Sequence, residues 1–258
     1  MKYLQLKLVP PSAVITLNRP KVRNAFSAPL IEEFQRILSE IEREQETSSV
    51  IVTGSGSSFC SGADLADLIR MTSLSAEEAR RDTLVLVDLL RRLYQFPKPV
   101  IAAVKGPALA GGWGLASVCD FVLASEASSF GFPEVKVGFV PALVSVFLIQ
   151  QVGERRARDL LLTGRLLSPL DARDVGLVNK VVPPGDLMSQ AYRVAEVVAK
   201  HNAGAVAWTK HLLGQLRGVG LEEALALAAQ WNVVARNTED FKEGVDSFLE
   251  KRPPVWRK

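Results

Sequence analysis

The first stretch of the chain alternates with period two. Leu4, Leu6 and Leu8 fall on one face, with Tyr3, Gln5 and Lys7 on the other, the pattern of a half-buried strand. Val14, Ile15, Thr16 and Leu17 follow Pro10-Pro11, so residues 2–18 are predicted to form a hairpin. The period then changes. Pro29 opens a segment in which Leu30, Ile31, Phe34, Ile37, Leu38 and Ile41 recur at three- and four-residue spacing, the stripe of an amphipathic helix entered through proline. Ser49 to Thr53 is a short buried strand that runs into a glycine- and serine-rich loop, Gly54 to Gly62. Ser75-x-x-Glu78 is a capping box, and its helix is expected to run to about Tyr94. Pro99 to Val104 is continuously apolar, like a strand covered on both faces.

A glycine-rich turn then leads to a predicted helix, Gly112 to Val118, and a strand, Phe121 to Ala124. Leu143 to Gln151 is expected to be a core helix. Ser168 and Pro169 fit the N-cap and first position of another helix, and Val178 to Val182 fits a strand. From Asp186 onward the pattern is helical, with breaks predicted at Gly204 and at Gly218 to Gly220. Short strands alternating with helices, then a helical tail, imply an α/β core over residues 1–185 and a helical region over 186–258.

Composition narrows the function classes. The 31 Lys and Arg against 28 Asp and Glu leave +3, too even a balance for a dedicated nucleic-acid binder. Hydrophobic residues at 48% and charged residues at 23% of 258 positions supply ample apolar surface for a folded core. The opening MKYLQLKLVPPS has no apolar secretory segment. The longest uncharged run, Val137 to Gly153, is interrupted by Pro141, Gln150 and Gln151 and falls short of the roughly 20 apolar residues a membrane span needs. Cys60 and Cys119 form no C-x-x-C, and reduced thiols are expected. Together these features predict a soluble cytoplasmic protein without nucleic-acid or membrane partners.

Several chemistries fit poorly. His201 and His211 are ten residues apart with no ligand-spaced partner, so no metal is expected. There is no G-x-S-x-G elbow. Gly112-x-Gly114-x-x-Ser117 approaches a dinucleotide fingerprint but lacks the third glycine and lies mid-chain. Three other features make sense together. Phe59-Cys60-Ser61-Gly62-Ala63-Asp64-Leu65 and Ala110-Gly111-Gly112-Trp113-Gly114 are loops at helix starts, where exposed N–H groups can hold an anionic oxygen. Phe130-Gly131-Phe132-Pro133-Glu134 sets a carboxylate among apolar residues, where burial raises its pKa and suits it to proton transfer. Taken singly, a tight turn, a packing glycine and a surface glutamate explain the same residues equally well.

In order, these motifs resemble the enoyl-CoA hydratase/isomerase, or crotonase, family. The resemblance spans nearly the whole chain: ITLNRPKVRNAFS (15–27), SFCSGADL (58–65), PKPVIAAVKGPALAGGWGLASVCD (97–120), FGFPEVKVGFVPA (130–142), LLTGRLLSPLDARDVGLVNKVV (161–182) and SFLEKRPP (247–254). It implies a spiral of short ββα repeats, a helical C-terminal region at the subunit interface, and a homotrimer or dimer of trimers. It implies an acyl-CoA thioester substrate, in which CoA is part of the substrate and no separate cofactor is needed.

The same resemblance implies that Ala63 and Gly111 donate their backbone N–H groups to the thioester oxygen, and that Glu134 moves the proton. It places the loop Arg19 to Ala25 and its neighbour Ala63 to Asp64 at the CoA, with backbone groups such as those of Ala25, Ala63 and Asp64 around the adenine and Arg23 at the phosphates. It adds Leu65, Gly111 and Gly114 to the substrate site, and sets Phe248 with Lys251 at a neighbouring subunit's CoA. The family's hydratases carry a second glutamate where this chain has Gly114. The expected reaction is hydration of a 2-enoyl-CoA, as in bacterial hydratases of lipid metabolism and β-oxidation. The alternatives are a Δ3-Δ2-enoyl-CoA isomerase using one glutamate, and an inactive acyl-CoA-binding member. A glutamate introduced at 114 is expected to speed hydration unless Trp113 or other packing excludes it.

Overall fold

The structure is a computed structural model describing residues 2–256, with Leu65 described by its backbone alone. In chain order the elements are β1 (Leu4–Val9), β2 (Ser12–Leu17), α1 (Ala28–Arg43), β3 (Ser49–Gly54), α2 (Leu65–Met71), α3 (Ala76–Tyr94), β4 (Val100–Val104), β5 (Pro107–Leu109), α4 (Gly111–Ser117), β6 (Phe121–Ser125) and β7 (Ser129–Gly131). They continue as α5 (Ala142–Thr163), β8 (Leu166–Leu167), α6 (Pro169–Asp174), β9 (Lys180–Val182), α7 (Leu187–Ala199), α8 (Ala203–Gln215), α9 (Leu221–Arg236) and α10 (Glu239–Leu249).

The strands form two sheets. One runs β1-β2-β3-β4-β6-β9, with β1 and β2 as the antiparallel hairpin and every later pair parallel. The other is small, ordered β5-β7-β8. Parallel strands need both faces covered, and the chain supplies two apolar layers. On one side α1 buries Leu30, Phe34, Ile37, Leu38 and Ile41 together with α3 and the inward residues of β2 to β4. Each such side chain contributes about 1.5–3 kcal/mol through burial. On the other side Leu187, Ala191 and Ala195 of α7 close over Val14, Ile51, Ile101, Ala103 and Leu123.

The helical stretch after 186 is therefore split. α7 packs on the large sheet, whereas α8 and α9 bury no residue in this chain. One predicted break moves. Gly204 lies inside α8, and the chain instead turns before Asn202, whose side chain accepts the Ala205 N–H at 2.8 Å and caps the helix. The core helix expected over Leu143 to Gln151 is longer, because the chain kinks at Gly153 and resumes to Thr163. No helix among the described residues is long and apolar enough to cross a membrane.

Candidate functional site

The small sheet sets the geometry. Ala108 of β5 pairs in parallel with Phe130 of β7, and Leu109 with Gly131. Cys60 bridges Ala108, also in parallel. One row therefore reads Cys60, Ala108, Phe130, and three chain segments leave it in the same direction. Three residues further on stand Ala63, Gly111 and Pro133, with Glu134 next. All three loops lie at the carboxyl end of a parallel ladder, where ligands bind in α/β sheets.

Each donor is freed by a local device. Phe26 donates to the Gly62 carbonyl at 2.7 Å and accepts from the Asp64 N–H at 3.2 Å. This parallel bridge uses the groups flanking Ala63, so the Ala63 N–H points to the opposite side. It has no acceptor among the described residues. Gly111 begins α4, and a first-turn N–H has no intrahelical acceptor. The loops touch directly. Gly62 has φ +88°, and a Cβ there would lie 2.9 Å from Ala110 Cβ and 3.4 Å from Gly111 N. A Cβ on Gly112 would come within 2.2 Å of the Cys60 carbonyl oxygen. That contact accounts for the glycine at 112 without any dinucleotide.

Ala110, the cap of α4, has φ 52° and ψ −130°, a conformation that a side chain rarely adopts. Its N–H donates to the Gly131 carbonyl at 2.9 Å, and its own carbonyl accepts the Gly114 N–H at 3.0 Å. Such backbone strain costs about 1–3 kcal/mol and persists where surrounding structure imposes it. Here it aims the Gly111 amide.

Glu134 sits in a 3-10 turn, Pro133–Val137. Its Oε2 is buried without a hydrogen-bond partner. Burial pushes the carboxyl above the ordinary glutamate range, opposed in part by its own backbone N–H. A desolvated carboxylate with one unpaired oxygen, at the same ladder end as free N–H donors, fits proton transfer next to a developing oxyanion.

Gly114 lies one helical turn past Gly111 and is buried. A Cβ there would meet Val144 Cγ1 at 2.6 Å, and Val144 in the first turn of α5 is only 4% exposed. The packing that stands against a side chain at 114 thus comes from Val144, with Trp113 turned into the core against Phe130 at 4.6 Å between ring centroids.

The remaining expected residues fall as follows. Ala25 is buried, and its carbonyl accepts from Arg19 Nη1 at 2.7 Å. Both carboxylate oxygens of Asp64 are engaged, Oδ1 by the Ala66 N–H at 3.0 Å as the cap of α2 and Oδ2 by Arg19 Nη2 at 2.8 Å. Leu65 heads α2, and its side chain lies outside the described residues. Arg23 is exposed, in a left-handed conformation at φ 52°. Phe248 is 82% exposed on α10, and Lys251 follows that helix. Phe248 lines an apolar cleft of about 870 Å³ with Trp208, Trp231, Phe241 and Trp256. This cleft takes in none of Ala63, Gly111 and Glu134.

Both thiols are desolvated. Cys60 is pushed up to about 12 and Cys119 higher still, so neither is a ready nucleophile. His211 stands edge-on to Trp231 at 5.5 Å. The motifs alone give Arg19, Asn24 and Val144 no individual role. The first two lie inside the ITLNRPKVRNAFS motif, but only the fold shows what they hold.

Comparison with known proteins identifies the family. The family described as "Enoyl-CoA hydratase/isomerase" matches residues 12–258. A Thermus thermophilus protein named "Putative enoyl-CoA hydratase" is 48% identical over 242 residues, covering 94% of this chain and 96% of its own. The short-chain-enoyl-CoA hydratase of Clostridium acetobutylicum is 36% identical over 93% of this chain and 92% of its own. The crystal structure of a Bacillus anthracis enoyl-CoA hydratase superposes with a TM-score of 0.91 at 34% identity, covering 99% of both chains. The fold is thus the α/β crotonase fold with its helical C-terminal region, and the chain belongs to the enoyl-CoA hydratase/isomerase family.

Proposed function

We propose that this chain is an enoyl-CoA hydratase, adding water across the C2–C3 double bond of a 2-enoyl-CoA to give the 3-hydroxyacyl-CoA. The observation that carries the reading is the buried, unpartnered Glu134 Oε2 at the same ladder end as the two free backbone donors. The thioester oxygen accepts from Ala63 N–H and Gly111 N–H, which draws electron density from C3. A water then attacks C3 while the Glu134 carboxylate takes one of its protons. The enolate at C2 recovers that proton from Glu134, so one carboxylate is restored each cycle. Oriented donors of this kind are each worth about 3–4 kcal/mol of barrier at the upper end. The raised pKa of Glu134 makes its carboxylate a stronger base and so helps the first step, in which it takes a proton from water.

Around this centre the reading assigns Arg23 to the CoA phosphates, the backbone of Ala25, Ala63 and Asp64 to the adenine, and Leu65 to the substrate site. A homotrimer or pair of trimers completes it, with Phe248 and Lys251 reaching a neighbour's CoA. The exposed Leu213, Leu225, Phe241, Phe248 and Leu249 on α8 to α10 support an assembled form.

A second reading rests on the Gly114–Val144 contact, which leaves no side chain to hold water on that side. In a Δ3-Δ2 isomerase, Glu134 takes a proton from C2 and returns it to C4, with no water consumed. A panel of enoyl-CoA thioesters separates the two. A hydratase bleaches the conjugated absorbance of 2-enoyl-CoA and incorporates solvent oxygen at C3. Untouched 2-enoyl-CoA together with new conjugated absorbance from 3-enoyl-CoA would replace the hydratase by the isomerase.

A further inference from the structure

We propose that Arg19 and Asp64 form a clasp that positions the Ala63 amide, making both of them positioning residues for thioester activation. The inference rests on the donor reading of Ala63 given above. It starts from an asymmetry in how the two donors are held. Gly111 is fixed by a helix and by the strained Ala110, which is tied to β7. Ala63 belongs to a loop held by two isolated bridges, Cys60 with Ala108 and Ala63 itself with Phe26. The two backbone hydrogen bonds of the Phe26 bridge set which way the Ala63 N–H points.

Arg19 straddles that bridge. One guanidinium nitrogen donates to the Ala25 carbonyl at 2.7 Å and the other to Asp64 Oδ2 at 2.8 Å. Residues 25 and 64 each adjoin the bridged pair, so one planar group ties both chains together beside Ala63. The second Asp64 oxygen caps α2 through the Ala66 N–H, which fixes the chain on the far side of Ala63. The Arg19 end is anchored in turn. Its backbone N–H donates to Asn24 Oδ1 at 2.8 Å, and the fully buried Asn24 amide donates to the carbonyls of Ser55 and Ser58. Ser61 N–H donates to the Arg23 carbonyl at 3.1 Å. The side chains of Arg19 and Asp64 are 18% and 15% exposed, too shielded for an ordinary surface ion pair, and the Tyr3 ring lies 5.5 Å from the guanidinium carbon.

The geometry demands the fork of arginine. A lysine supplies the charge but not two parallel donors in one plane. Asparagine at 64 retains a helix cap while losing the charged acceptor. Arg19→Lys and Asp64→Asn are therefore the informative variants, and a misplacement of about 1 Å in a catalytic donor costs on the order of 10²-fold in rate.

The test uses the full-length protein and a chromophoric conjugated thioester, 4-dimethylaminocinnamoyl-CoA, whose absorption moves to longer wavelength as its carbonyl oxygen is hydrogen-bonded. The shift is read on bound ester, so it is insensitive to any unfolded fraction and does not require turnover. Wild type is expected to show a clear red shift. Arg19→Lys and Asp64→Asn are expected to lose at least half of it, and in Arg19→Lys ester affinity stays within about 3-fold. On the best substrate of the panel, kcat should fall by roughly 10- to 100-fold in both, with little change in KM for Arg19→Lys. The double variant should lose no more than the worse single one, since both break the same clasp. A full red shift and wild-type kcat in both variants overturn the clasp alone. A wild-type complex that binds the ester without any shift overturns the donor reading, and the clasp with it.

Discussion

Gly114 and Val144 offer a test of packing that also bears on mechanism. A Cβ at 114 would sit 2.6 Å from Val144 Cγ1, about 0.8 Å inside the distance at which ordinary contact begins. Forcing a methyl group into such a space costs about 1–3 kcal/mol. Replacing a helical glycine by alanine returns about 1 kcal/mol, so Gly114→Ala is expected to destabilise the protein by roughly 0–2 kcal/mol. Val144→Ala removes two carbons worth about 0.8 kcal/mol each, plus the cavity they leave. In the double variant the new methyl group enters the vacated space. Its loss should be at least about 1 kcal/mol smaller than the sum of the single losses. Urea unfolding of the four proteins measures this coupling. Additivity within about 0.3 kcal/mol would show that Val144 does not fill the space of residue 114. The activity follows the same logic. Gly114→Glu alone should not gain hydration of crotonyl-CoA, because Val144 bars the side chain. Gly114→Glu with Val144→Ala should hydrate faster than Val144→Ala alone.

The other expectations concern Glu134 and the assembly. Glu134→Gln should bind CoA esters near the wild-type level while kcat falls at least ~10²-fold, as stopped-flow and equilibrium titration would reveal; a variant with half its turnover removes Glu134 from the mechanism. Burial raises the folded pKa of Glu134, so between the unfolded and folded values the native state holds a proton that the unfolded chain has released. Stability tied to this group is complete below the ordinary glutamate range and is lost as pH climbs through the higher folded value. Thermal melts should therefore show Glu134→Gln gaining on wild type as pH rises across that window, and a constant gap would contradict the burial argument. Sedimentation velocity should show a trimer or hexamer, and a stable 28.1 kDa monomer at micromolar concentration would count against the subunit contacts assigned to α8–α10.

Legibility in the sequence followed element length and contact order. The α1 stripe, the Ser75 capping box and the apolar β4 were readable because each carries its own periodicity or cap. The small sheet was not, since β5, β7 and β8 have two or three residues each, too few to show any period. Yet that sheet brings Ala63, Gly111 and Glu134 together. Their motifs could be named one by one, while their shared row at Cys60, Ala108 and Phe130 needed the fold. The kink at Gly153 hid the second half of α5, because charge begins there and imitates a helix end. Arg19 and Val144 act on residues 45 and 30 positions away, distances at which local patterns are silent.

The division between backbone donors and a single side-chain acid also shapes how such a site can age. In the proposed mechanism Ala63 and Gly111 contribute groups that every non-proline residue carries, so most exchanges at those two positions leave the donor chemistry present. Vulnerability is displaced to silent neighbours: Gly62 and Gly112, where any side chain would collide with the opposite loop, and the arginine that ties the bridge. On the same proposal Glu134 stands apart, for one exchange there abolishes the proton carrier without disturbing the frame. A lineage that kept this scaffold could therefore retune or abandon the reaction at one position while preserving its grip on a thioester oxygen.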